Sequence, residues 1–230
     1  MSIENNISIL KSRIEKFCAL NHRNPKDIRV IAVSKSQSPE QIKELYQLGF
    51  RVFGENYAQE LSQKASVLTP LDITWVFIGA LQSNKIPSLV PMVSEIQTVT
   101  SEKHARLIAK NALEHHKTPF SIYLSVNMDE EPSKNGLKPS DILTLSKIIE
   151  QKYPELALQG IMAIPAPLTE QELQNGIIPP SYQKLKELAK QVGAGKLSLG
   201  MSHDLEVAIA AGTDELRIGT ALFGERPTPA

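Results

Sequence analysis

Arg29-Val-Ile-Ala-Val-Ser-Lys35 ends in a group suited to covalent chemistry. The residues from Arg29 to Ser34 are mostly small or β-branched and read as a short buried strand. Lys35 then stands at the strand's carboxyl end, and Ser38-Pro39-Glu40 opens a helix behind it. Lysine is seldom buried. Desolvation lowers its pKa and makes the amine a nucleophile toward carbonyls, as a Schiff-base lysine requires. The plainer alternative is a solvated lysine in a strand-to-helix loop. Far along the chain, Met201-Ser202 and Gly219-Thr220 follow two further short strands. Ser202 and Thr220 bring hydroxyls, and Gly219 allows backbone to approach an oxyanion closely. Arg217 lies within the last strand, opposite in parity to Leu216 and Ile218. With the apolar pair facing helices, Arg217 points inward. There it needs a partner: Glu215, Glu55, another carboxylate, or a ligand.

These residues are positioned by a regular alternation. Strands are expected over 29–34, 51–54, 73–78, 95–99, 120–126, 156–164, 196–199 and 215–218. Helices are expected over 39–48, 58–67, 86–90, 101–116, 140–152, 181–192 and 204–211, behind an amphipathic N-terminal helix over 1–21. That first helix carries Ile3, Ile7, Leu10, Ile14 and Phe17 at helical spacing, and it lacks the apolar core of a signal peptide. The proline-rich stretch 165–180 reads as a long loop. Eight strands alternating with helices mean parallel βαβ units, and a chain of this size matches a single α/β barrel of the (β/α)8 TIM type. A doubly wound open sheet is the competing architecture. No shift in composition divides the chain, so one domain is expected over 1–230. In a barrel, function collects where strands end. Those ends are Lys35, Asn56, the turn 79–85, Asn127, Ala163, Met201-Ser202 and Gly219-Thr220. The last two follow strands seven and eight, where barrels commonly bind phosphate.

Other patterns carry less. Ser202-His203-Asp204 has triad residue types, but sequence neighbours do not easily converge on one point. Gly193-Ala-Gly-Lys-Leu-Ser-Leu-Gly lacks dinucleotide spacing, and Leu197 stands where a Walker motif needs a hydroxyl. Five histidines and one cysteine show no metal-ligand spacing. Lysines and arginines equal the acidic residues at 25 each, so nothing electrostatic favours nucleic acid or an anionic membrane. No apolar run approaches membrane-spanning length. The lone Cys18 excludes an intrachain disulfide and points to a reducing, cytoplasmic setting. A reactive lysine beside an oxyanion site suggests an aldehyde phosphate, and pyridoxal 5′-phosphate is the commonest such cofactor.

Several separated segments strengthen this. They are Ala32-Val-Ser-Lys35, Phe53-Gly-Glu-Asn-Tyr57, Phe77-Ile-Gly79 with Leu81-Gln82 and Asn84-Lys85, and Ser125-Val-Asn127 with Lys134 and Gly136. The longest is Leu199-Gly-Met-Ser202 with Asp204, Ala208-Ile209, Gly212, and Arg217-Ile-Gly-Thr220 through Phe223-Gly224. In these segments, over nearly its whole length, the chain resembles the pyridoxal phosphate homeostasis protein family (YggS/PROSC-like, related to the alanine racemase N-terminal domain). The resemblance implies a barrel of that type and a role in intracellular vitamin B6 homeostasis. It implies that Lys35 forms the internal aldimine, that Asn56 lies beside the ring, and that Arg217 faces the pyridine nitrogen. It assigns the phosphate to Met201, Ser202, Gly219 and Thr220. It further implies a monomer, with apo-enzymes that use the cofactor as recipients. Two departures from the family pattern are Val76, where histidine is frequent, and Ile164-Pro-Ala-Pro167 in place of Ile-Pro-Pro. A small amino-acid racemase is the alternative. Against it, the chain ends soon after the eighth strand, leaving no room for the β-domain and tyrosine base of alanine racemases. A lysine aldolase without cofactor is the third reading.

Overall fold

All eight expected strands form, and they close on themselves. In this computed structural model, which describes residues 2–131, 135–175 and 177–224, the strands are β1 (Arg29–Val33), β2 (Val52–Glu55), β3 (Thr74–Phe77), β4 (Glu95–Val99), β5 (Phe120–Val126), β6 (Leu156–Ala163), β7 (Lys196–Ser198) and β8 (Glu215–Ile218). Each pairs in parallel with the next, and β8 pairs with β1. The closed barrel excludes the open doubly wound sheet. Lys134, part of one resemblance motif, lies outside the described residues.

The period-2 pattern sorts residues between the two faces of the barrel wall. Ala32, Phe53, Trp75, Phe77, Leu216 and Ile218 join the large core between strands and helices. Their neighbours Ile31, Val33, Val76 and Ile78 form a separate apolar cluster inside the barrel, with Val52 packed against it. Val76 is fully buried there, so the position often held by histidine belongs in this chain to an apolar wedge. Glu95, Gln97, Ser198, Glu215 and Arg217 are buried as well, and they make much of the remaining interior polar.

The helices are α1 (Ile3–Leu20), α2 (Pro39–Gln47), α3 (Ala58–Val67), α4 (Ile86–Leu89), α5 (Glu102–Glu114), α6 (Pro139–Lys152), α7 (Glu170–Asn175), α8 (Pro180–Ala189), α9 (Leu205–Ala210) and α10 (Thr220–Phe223). Local chemistry sets their starts. Ser38 and Gln41 form a reciprocal capping box at α2, with Pro39 in the first turn. Ser101 accepts a hydrogen bond from the His104 amide at α5. In α1 the buried stripe is Ile3, Ile7, Leu10, Ile14 and Cys18, not Phe17. Phe17 is only half-buried, because the 3.6-residue period brings Cys18 under the helix at that level.

Two further differences from the sequence reading concern loops. The stretch 165–180 contains α7, because its prolines cluster at the two ends and leave the middle free to coil. Thr169 Oγ1 accepts from the Glu172 amide at 3.3 Å, and Glu172 Oε2 accepts from the Thr169 amide at 2.7 Å. That Thr-x-x-Glu capping box is visible in the sequence. After β8, Gly219 caps the one-turn helix α10, beyond the last helix expected from sequence at 204–211. The N-terminal helix braces this end of the barrel. Arg13 in α1 pairs with Glu206 at 2.6 Å and donates to the Ser202 carbonyl at 3.2 Å. Asn6 donates to the Leu222 carbonyl at 2.9 Å.

Candidate functional site

Strand ends from opposite ends of the sequence meet because β1 lies between β8 and β2. At the carboxyl mouth they surround a cavity of about 170 Å³. Its lining includes Lys35 after β1, Asn56 after β2, Met201 and Ser202 after β7, Arg217 on β8, and Gly219 and Thr220 after it. Thus all seven residues that the resemblance assigns to the cofactor line one space, while the strand ends at Asn127, Ala163 and 79–85 do not line it. Gln37 and His203 also line it. A second cavity of about 520 Å³ adjoins it and shares Asn56, Ile78 and Ile164. Together the two reach the size of ordinary small-molecule sites, about 300–1,000 Å³.

Arg217 is the charged group deepest in this space, with 4% of its surface exposed. Its Nη1 donates to Ser198 Oγ and its Nη2 to the Ala163 carbonyl, both at 2.8 Å. No ion pair to Arg217 forms among the described residues, so the carboxylate partners weighed from sequence are not the ones it finds. Burial pushes its pKa down to about 10, with Asp204 and Glu215 pulling the other way. It remains a cation at neutral pH. Two of its five N–H donors are engaged within the protein, which leaves donors for a ligand acceptor.

Below Arg217 the barrel axis is a hydrogen-bonded column of fixed polarity. Ser198 donates to Gln97 Oε1 at 2.8 Å. The Gln97 amide donates to Glu95 Oε1 at 2.7 Å and to Glu215 Oε2. Arg29 bridges both carboxylates, at 2.8 Å to Glu95 and 2.9 Å to Glu215, and Tyr123 donates to Glu215 at 2.7 Å. Burial, with Glu215 alongside, holds the Glu95 carboxyl above the usual carboxylate range. The column fixes which way Ser198 points, and so where Arg217 is held. Sequence reasoning passed over Ser198, although its apolar neighbours Leu197 and Leu199 put it on the inward parity.

The hydroxyl side of the cavity is ordered by Asp204. Its Oδ1 accepts from the Met201 amide at 2.6 Å and its Oδ2 from the Tyr182 hydroxyl at 2.6 Å. The Met201 amide is therefore occupied, and this residue meets the cavity through its other atoms. Ser202 Oγ accepts from the Ala221 amide at 3.1 Å, which aims its own O–H elsewhere. Gly219 has no packing reason to be glycine, since an added Cβ would meet nothing nearer than the Val33 carbonyl at 3.5 Å. Asn56 Oδ1 is buried with no hydrogen-bond partner among the described residues.

A family model described as alanine racemase, N-terminal domain, matches residues 2–227. The pyridoxal phosphate homeostasis protein of Haemophilus influenzae is 36% identical over 231 residues, covering 98% of this chain and 97% of that protein. The chain belongs to this family. The pyridoxal phosphate homeostasis protein of Pseudomonas aeruginosa is 37% identical over 98% of this chain and 96% of that protein. The structure of PipY of Synechococcus elongatus, with PLP bound, is also similar. It matches with a TM-score of 0.75 and 33% identity, over 92% of this chain and the whole of that one. The barrel is thus of the alanine racemase N-terminal type, as the family and the closed topology agree.

Proposed function

We propose that the protein binds pyridoxal 5′-phosphate in the 170 Å³ cavity, holds it on Lys35 as a Schiff base, and serves its homeostasis as a carrier for apo-enzymes. The observation that carries this is the convergence of a lysine, two hydroxyls, an open glycine and a buried arginine on one cavity. Family membership and the bound PipY relative support it. The residues suit the cofactor one by one. Ser202, Gly219 and Thr220 offer hydroxyls and close backbone approach to the phosphate. Asn56 Oδ1 offers an unmet acceptor to the ring hydroxyl. Arg217 offers spare N–H donors to an unprotonated ring nitrogen. When bound, the cofactor supplies an aldehyde for a primary amine and a ring that can draw electrons.

That Arg217 is held by a hydroxyl and a carbonyl bears on catalysis. Enzymes that use the ring as an electron sink commonly protonate its nitrogen through an acid. A guanidinium cannot supply that proton. The arrangement weakens the ring as an electron sink, but alanine racemases resemble it, so turnover itself separates a carrier from a racemase. The test is the visible spectrum of protein loaded with the cofactor, then α-proton exchange of L- and D-alanine in deuterated water read by NMR. A borohydride-sensitive absorbance with no appreciable exchange is expected. Exchange within the ordinary enzyme range of ~1–10³ s⁻¹ overturns the carrier reading in favour of a racemase.

The phosphate anchor has its own expected result. Ser202→Ala and Thr220→Ala each remove one hydrogen bond to a charged group, worth about 1.5–3 kcal/mol. Affinity for the cofactor falls roughly tenfold to a hundredfold at each site. Binding of pyridoxal, which lacks the phosphate, stays nearly unchanged. Calorimetric titration of both ligands checks this, and equal losses for the two would place the anchor elsewhere.

A further inference from the structure

Lys64 is a buried lysine outside the cavity, and it sits behind the loop that carries Lys35. It belongs to α3, yet only 5% of its side chain is exposed. Helix-face lysines ordinarily keep the ammonium in water. Here Nζ donates to Glu55 Oε1 at 2.8 Å, to Glu60 Oε1 at 2.7 Å and to the Ser34 carbonyl at 2.6 Å. An ammonium has three donors, so all three are satisfied by protein. The carboxylates reach onward to the same loop. Glu55 Oε1 accepts from Ser34 Oγ at 2.6 Å, and Glu60 Oε1 accepts from the Ser36 amide at 2.6 Å. Residues 34 and 36 are therefore gripped on both sides of Lys35 by one ionic cluster.

A second observation shows what the grip holds. Ser36 has φ of 61°, in the left-handed region that a non-glycine residue enters at a cost of about 1–3 kcal/mol. Such a conformation persists where surrounding contacts over-determine it. The Ser36 amide bound to Glu60 is one of those contacts. The cluster also carries a cost of its own. Glu55 is fully buried, and its Oε2 has no partner among the described residues. Apolar side chains of similar volume could join α3 to the barrel without this expense.

We propose that Lys64, with Glu55 and Glu60, is a positioning cluster that fixes the backbone around Lys35 so that its amine is presented to the cavity for bonding to the aldehyde. The inference rests on the cofactor reading above and adds residues that never touch the ligand. Misplacing a reacting group by about 1 Å costs on the order of a hundredfold in rate. A cluster that only stabilised the fold would, when altered, weaken every ligand alike.

The experiment uses two ligands on the full chain. Pyridoxal 5′-phosphate can bond to Lys35. Pyridoxine 5′-phosphate has an alcohol in place of the aldehyde and reports the phosphate and ring contacts alone. In Lys64→Met, the rate of borohydride-fixed labelling of Lys35, followed by peptide mass spectrometry, should fall by about tenfold or more. Affinity for pyridoxine 5′-phosphate should stay within about twofold. Lys64→Arg, which restores the charge and donors, should recover part of the labelling rate. Unchanged labelling in Lys64→Met, or an equal loss for both ligands, overturns the proposal. Should Lys64→Met not fold, Glu60→Ala decides, since it removes the acceptor of the Ser36 amide at a half-buried edge. The same selective loss there supports the proposal, and its absence overturns it. Wild-type protein that binds both phosphates but takes no label on Lys35 overturns the cofactor reading itself. That outcome is distinct from every variant result.

Discussion

Lys35→Ala is expected to lose the borohydride-sensitive absorbance entirely and to weaken pyridoxal 5′-phosphate by about a hundredfold or more, or at least ~2.7 kcal/mol. Lys35 is the lysine that lines the cavity holding Arg217, Ser202 and Thr220 among the described residues. Lys85 lines a neighbouring space instead, beside Tyr57 and Gln82. An alanine at position 35 removes the amine and its methylene stem from the cavity. With only the proposed contacts of Ser202, Thr220 and Arg217 left, the variant should hold pyridoxal 5′-phosphate and pyridoxine 5′-phosphate about equally. The fold should be little affected. Lys35 is half-buried in a loop, and substitutions of that kind ordinarily shift stability by about 0.5 kcal/mol or less. Equal urea midpoints for the two ligand-free proteins would separate lost binding from lost structure. The decisive measurement is peptide mapping after reduction. A stoichiometric label on Lys85 or Lys134 of the wild type would overturn the assignment of Lys35.

The barrel was legible because its signals are local. Strands β4, β5 and β8 form over the residues expected, since each is a short β-rich run closed by turn residues. Parity placed Leu216 and Ile218 against helices and Arg217 inside, and the structure agrees. The mouth of the barrel was legible for a geometric reason: parallel strands put all their carboxyl ends at one face. The cofactor's identity came from the combination of lysine and oxyanion site and from the resemblance, not from spacing.

What stayed hidden depends on contacts across the barrel. The partners of Arg217 come from β7 and β6, and strand register alone decides that Ser198 and the Ala163 carbonyl meet it. Nothing local distinguishes these from Glu215 or Glu55. Lys64 was hidden differently. A lysine on an amphipathic helix reads as solvent-facing, and only the packing of α3 over the Ser34 carbonyl turns it inward. Helix α7 was hidden by its flanking prolines, though the Thr169–Glu172 capping box was there to be read.

Gly79→Ala is expected to be the most damaging small substitution near the site, and Gly219→Ala, a few strands away, to act in the opposite manner. A Cβ on Gly79 would lie 1.7 Å from the Asn56 carbonyl oxygen and 2.7 Å from its Cα. Both obstacles are backbone, so no rotamer change relieves them. Either the turn after β3 or the end of β2 must move, and Asn56 carries one of the cavity's side chains. Overpacking against fixed structure costs about 1–3 kcal/mol, and a backbone collision belongs at the upper end. A loss of about 3 kcal/mol lowers the melting temperature of a chain this size by about 10 °C. Binding should fall as well, because displaced backbone carries Asn56 away from the place proposed for the ring. At Gly219 the added carbon meets only Val33 atoms at 3.5 and 3.7 Å, which is ordinary contact. Stability there should stay within about 1 kcal/mol. The methyl instead occupies space at the cavity wall where the phosphate is proposed to approach, so affinity should drop about tenfold. Urea titration and ligand calorimetry on both variants give four numbers. If Gly79→Ala were as stable as Gly219→Ala, the strand ends would be free to yield. Asn56 would then not be held by the close approach of β2 and β3.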